Sequence, residues 1–127
     1  MSNEMKTPGR DQRKAKGTMG EQAAALYLEE RGYHILARNW RCRSGELDLV
    51  AKQKGTFVFI EVRSRSGSKY GTPAESVTAR KITQVRQTAA VYLHMNGIGD
   101  APIRFDMLAV QLTGEAAVVT EHFIDAF

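Results

Sequence analysis

A single cysteine, Cys42, excludes an internal disulfide and any zinc site built from several cysteines. No apolar run is long enough to span a bilayer. The polar, charged start of the chain lacks the apolar stretch of a signal peptide. His34, His94 and His122 show no metal-ligand spacing, and the loop between Gly67 and Gly71 matches no phosphate-cradling motif. There is no internal repeat and no low-complexity tract. These absences point to a cytoplasmic protein that makes no membrane contact. What is present is ordinary for a globular chain, 43% hydrophobic and 25% charged. At 127 residues it can build one core. A net charge of +4 and a pI near 9.4 are a weak pointer to polyanion partners.

The local patterns define an order. Residues 1–16 are polar and basic and read as a flexible arm, leaving 17–127 as a single domain. Thr18 and Glu21 fit a capping box, so the first helix is expected from Thr18 to about Arg31, stopped by Gly32, with Ala23, Ala24, Tyr27 and Leu28 as its apolar stripe. Strands are expected over about Tyr33–Trp40, Glu46–Ala51 and Thr56–Arg63. Thr72-Pro73-Ala74-Glu75 carries the signature of a helical start. The second main helix spans about Thr78–Asn96, with Ile82, Val85, Ala89, Tyr92 and Leu93 inward and Gly97 as its stop. Two further strands, about Ile103–Leu112 and Ala117–Ile124, flank a turn at Thr113-Gly114-Glu115. The order α-β-β-β-α-β-β predicts an α/β domain with a central mixed five-stranded sheet flanked by helices.

Two carboxylates stand out. A turn symmetric about Lys54 and Gly55 puts Asp48 opposite Glu61, and Glu46 opposite Arg63. Directly opposed residues share a face with Cβ atoms roughly 4.5–5.5 Å apart, where like charges repel. Asp48 lies among Leu47, Leu49 and Val50, a setting that disfavours Asp in a strand. Burying such a pair costs free energy unless it is ion-paired or holds a metal. A divalent cation, Mg2+ or Mn2+, relieves both costs. The alternative is an ion pair of Glu61 with Arg63 or Arg104. Asp106, in the same predicted strand as Arg104, has no motif support. Trp40 reads as a core residue, with stacking on a base as its functional alternative.

Glu21, then Gly45-Glu46-Leu47-Asp48-Leu49-Val50-Ala51, then Phe59-Ile60-Glu61-Val62-Arg63, then Gly71-Thr72-Pro73-Ala74-Glu75 resemble the YraN-like bacterial proteins over about residues 17–110. That family in turn resembles the PD-(D/E)xK nuclease superfamily, which includes restriction endonucleases and Holliday-junction resolvases. The resemblance implies a restriction-endonuclease-like fold. It implies Asp48 and Glu61 as metal ligands, Glu21 as the helical acidic residue and Arg63 at the position where lysine is most frequent. Arginine is not deprotonated in proteins, so Arg63 is no general base, although it can stabilise charge on a phosphate. Lys81 is a candidate substitute for the missing amine if the fold brings it close.

The expected function is hydrolysis of a DNA phosphodiester, less readily RNA, by metal-activated water. Arg41, Arg43, Arg65, Arg80 and Lys81 are the candidate nucleic-acid contacts. The rival is a non-catalytic nucleic-acid-binding module whose site has degenerated, marked by Arg63. A protein-interaction domain with a purely structural acidic pair is a third reading. The related resolvases are dimers, so a homodimer stays open.

Overall fold

The computed structural model describes residues 8–67 and 77–127, with side chains described from residue 18 onward. The elements follow the expected order: α1 (Pro8–Glu30), β1 (His34–Cys42), β2 (Gly45–Gln53), β3 (Thr56–Ser66), α2 (Ala79–Met95), β4 (Ile103–Thr113) and β5 (Ala116–Phe123). They form one five-stranded sheet in the order β1-β2-β3-β4-β5. Only β3 and β4 run parallel; α2 lies in the chain between them. The helical start expected at Thr72 lies outside the described residues.

Both helices stop for the same local reason. At the end of α1 the Tyr33 N–H donates to the Leu28 carbonyl (3.0 Å) and the Gly32 N–H to that of Glu29 (3.2 Å), while Gly32 takes a φ of +88°. This is the Schellman arrangement that glycine permits. Ile98 and Gly97 repeat it on Leu93 and His94 at the end of α2. At its start, Thr78 is the N-cap, its hydroxyl accepting the Lys81 N–H at 3.1 Å. That cap fixes Lys81 in the first turn.

α1 begins at Pro8, so Thr18 lies inside the helix and the expected capping box is corrected. A residue inside a helix already has an intrahelical acceptor for its N–H and needs no cap. The basic arm expected over 1–16 lies partly outside the described residues, and from Pro8 onward the chain belongs to α1.

The two helices bury opposite faces of the sheet. Ala24, Ala25 and Leu28 of α1 pack with Leu49, Ala51, Val58, Ile60 and Leu108. Val85, Ala89 and Tyr92 of α2 pack with Leu47, Val50, Phe57, Phe59 and Phe105. The alternation Phe57, Val58, Phe59, Ile60 between these clusters is the period-two signature of a strand covered on both sides. Trp40 belongs to the α2 side, meeting Tyr92 edge-on at 5.2 Å between ring centroids.

A buried polar network closes the far side of the sheet. Asp106 is fully buried. Its carboxylate accepts from Arg104 Nε (2.9 Å) and Nη2 (2.8 Å), and lies 2.8 Å from His122 Nε2. It also takes the Asp125 N–H at 2.9 Å. Burial pushes the Asp106 carboxyl up, but the bonds from His122, Arg104 and Asp125 outweigh it and hold it below its usual range. Arg104 also reaches the Tyr33 hydroxyl at 2.7 Å, so the network ties β4, β5 and the end of α1 together. Arg104 is therefore committed to Asp106 and is not a partner of Glu61.

Removing Asp106 leaves the half-buried Arg104 guanidinium and the His122 imidazole without their shared acceptor. Asp106→Ala is expected to lose about 3–5 kcal/mol of stability in urea unfolding. A loss below about 1 kcal/mol would contradict the network's role.

Candidate functional site

The two-residue turn at Lys54 and Gly55 has positive φ at both positions (+49° and +85°), as a type I′ hairpin requires. It sets the expected register, which runs from Gln53↔Thr56 to Leu49↔Ile60. There the β2–β3 ladder ends. β3 continues along β4 as far as Ser66, while residues 45–49 of β2 pair with residues 38–42 of β1. Past Leu49, β2 therefore leaves β3 and follows β1, opening a wedge between them. Asp48 and Glu61 are the next positions in register, at the wedge's apex. Asp48 replaces the missing ladder bond: its Oδ2 accepts the Val62 N–H at 2.9 Å.

Glu61 extends from the face that α2 covers and is only 4% exposed. Lys81 Nζ lies 3.2 Å from its Oε1. Its other oxygen, Oε2, is buried without a hydrogen-bond partner, and so is Nε of Arg63 on the same strand. Burial, then the negative charge of Asp48, push the Glu61 carboxyl up to about 7 against the opposing pull of Lys81. The Asp48 carboxyl is also raised, chiefly by burial, against the Val62 N–H and Lys81. Glu21 on α1 is raised as well: burial dominates, a hydrogen bond from Asn39 opposes it, and the charges of Asp48 and Glu46 add to it. The charge of Asp48 thus acts on both Glu21 and Glu61. Among the described residues, however, no three His, Cys, Asp or Glu side chains converge as a ligand group.

Several expected pairings are corrected. Glu46 does not meet Arg63, because β2 has already left β3 at that point. It pairs with Arg41, its ladder partner on β1, at 3.3 Å. Glu61 is held by Lys81, not by Arg63 or Arg104, because the N-cap of α2 aims the first helical turn at β3. Arg86 of the same helix is packed over the Phe105 ring at 4.6 Å.

The candidate nucleic-acid contacts divide by place. Arg80 and Lys81 line a cavity of about 580 Å³ with Thr78, Thr83, Gln84 and Gln87. Arg41 and Arg43 are exposed at the β1–β2 turn. That turn abuts α2, since a Cβ on Gly45 would come within 2.9 Å of Gln84 Nε2. Arg65 is half-buried on β3, opposite Gln111. Asn39, a partner of Glu21, was not apparent from the sequence. Its one local sign is that Asn tolerates the left-handed conformation it adopts here.

Fold and site together define a three-layer α/β protein with a buried Glu61 beside a half-buried Asp48 where two strands diverge. The chain belongs to the family described as "Uncharacterised protein family UPF0102", the YraN-like proteins, whose model matches residues 20–110. It is 48% identical over 118 residues to a UPF0102 protein of Pelotomaculum thermopropionicum, covering 92% of this chain and 98% of the relative. A UPF0102 protein of Moorella thermoacetica is 48% identical over 106 residues, covering 84% of this chain and 88% of its own. A third, from Symbiobacterium thermophilum, is 50% identical over 95 residues, covering 75% and 80%. Among the described residues no helix is long and apolar enough to cross a membrane.

The electrostatics make a pH prediction. Glu61 binds its proton more tightly folded (about 7) than at its ordinary value of 4.5. Its contribution is therefore fully present below pH 4.5 and is lost as pH rises through 7. Without divalent cations, stability should fall by roughly 3 kcal/mol between these limits. Glu61→Gln should flatten that slope in denaturant titrations at pH 5, 6, 7 and 8. An unchanged slope in the variant would refute the assignment.

Proposed function

We propose that the protein is a metal-dependent phosphodiesterase acting on nucleic acid, DNA in preference to RNA. The carrying observation is the buried, unpartnered Oε2 of Glu61 beside Asp48. One ammonium, Lys81, faces this acidic pair, and a further positive charge would relieve the cost of burial that raises both carboxyls. Two carboxylates, with water and substrate oxygens as the remaining ligands, are the donor set that suits Mg2+ or Mn2+, so the residues fit the group. Asp48 and Glu61 would hold the ion and Glu21 would assist. When bound, the ion neutralises the pair, polarises a phosphate oxygen and acidifies water.

The remaining chemistry falls to the chain's cations. Arg63, with its Nε unpaired, binds negative charge developing on the phosphate. It exchanges no proton. Lys81 Nζ is able to do so and reaches Glu61, so it takes the role that lysine has on the strand in related sites. Arg80, Arg41, Arg43 and Arg65 hold the backbone, with the α2 cavity as the adjoining groove. The strand order and the wedge support a restriction-endonuclease-like reading of the fold. This reading sets the protein in the cytoplasm, and a homodimer would deliver two sites to a branched substrate. The rival, a binding module that has lost cutting, is favoured by one observation alone, the arginine at position 63.

Mn2+ should raise the melting temperature of the native chain but not of Asp48→Ala; saturation at a hundredfold excess over Kd corresponds to about 2.7 kcal/mol. Linear and branched DNA should be cut with Mn2+ present, and cutting should vanish in Asp48→Ala and Glu61→Ala. Lys81→Met should slow cutting by about 10²–10⁴ while Mn2+ still binds. Salt-dependent binding with no cutting, and activity gained in Arg63→Lys, would establish the rival. No Mn2+ shift at all would overturn both metal-based roles.

A further inference from the structure

We propose that Asn39 is a positioning residue for this site, holding the Glu21 carboxylate toward Asp48; the inference rests on the metal reading above. Three described non-glycine residues have positive φ: Asn39, Lys54 and Asp125. Lys54 belongs to the hairpin turn and Asp125 to the turn after β5, whereas Asn39 lies within a strand. A left-handed residue there breaks the pleat, a distortion that clusters at functional positions.

The break falls at the wedge. The pairs Arg38↔Leu49 and Trp40↔Leu47 flank Asn39 and Asp48, which therefore occupy facing positions between β1 and β2. Leu47 and Leu49 are two residues apart and would share a face in a regular strand. Instead Leu49 packs on the α1 side and Leu47 on the α2 side. Asp48 thus sits where the sheet changes face, between the helix that carries Glu21 and the helix that carries Lys81. Glu21 arrives from α1 beside Gly20, which runs so close to β3 that a Cβ would collide with Ser64. At that crossing the Asn39 side chain opposes the rise of the Glu21 carboxyl that burial and Asp48 cause. An amide donor in that position orients the oxygen left free, as outer-shell partners do around metal sites.

The backbone and side-chain roles of Asn39 are separable. Asn39→Gly keeps the left-handed backbone and deletes only the amide. It should retain the wild-type melting temperature without metal, yet bind Mn2+ about 10–100-fold more weakly, read by the electron paramagnetic resonance of free Mn2+. Asn39→Ser, which keeps a donor, should lie between the two. In a Glu21→Ala background, Asn39→Gly should cause no further loss, because it acts through Glu21. Unchanged Mn2+ affinity in Asn39→Gly, or a full loss in the Glu21→Ala background, overturns the positioning role alone. A native chain with no saturable Mn2+ binding overturns the metal reading and this inference with it.

Discussion

The hydrogen bond from the Val62 N–H to the Asp48 carboxylate organises the molecule's chemistry. β3 is an inner strand, so both edges of its backbone need partners. β4 serves one edge along Phe57–Ser66. β2 serves the other only as far as Ile60, then turns away with β1. At that point a side chain takes over from a backbone carbonyl, and the side chain is an acid. The sheet thus opens without stranding the Val62 N–H, and the opening carries a negative charge at its apex.

The two buried acids on the central strands show what distinguishes a structural charge from a chemical one. Asp106 has its acceptors filled by a guanidinium, an imidazole and a backbone N–H, and its proton affinity falls. Glu61 is nearly as buried, is met by Lys81 and the Asp48 backbone N–H but keeps one oxygen without a partner, and its proton affinity rises. A satisfied carboxylate rigidifies a fold, whereas a half-satisfied one is a destabilising element unless something else completes it. Lys81 faces that incomplete group, and Arg63 lies two positions further along β3. Their division of labour follows from chemistry: the ammonium exchanges protons and the guanidinium does not.

Much of the fold was legible in the chain. The caps of α2 at Thr78 and Gly97, the Lys54-Gly55 turn and the alternation of β3 are local rules that tertiary packing had no reason to override. The expected start of α1 was wrong because Thr18 and Glu21 match a capping box by spacing alone, while helix continues upstream from Pro8. The expected Glu46–Arg63 pair failed because a register extrapolated along a hairpin assumes the strands stay together. The proximity of Asp48 and Glu61 survived, because it lies one step past the last ladder pair.

Local chemistry within the chain determined the elements, their order, the hairpin register and the adjacency of two acids, since each depends on residues close in sequence. Only the tertiary structure decided which side chains answer the site's acids. Lys81 reaches Glu61 across 20 positions of sequence, and Asn39 reaches Glu21 across 18. Such encounters depend on where a helix crosses a sheet and where two strands part, and both follow from packing the whole core rather than from any segment of it.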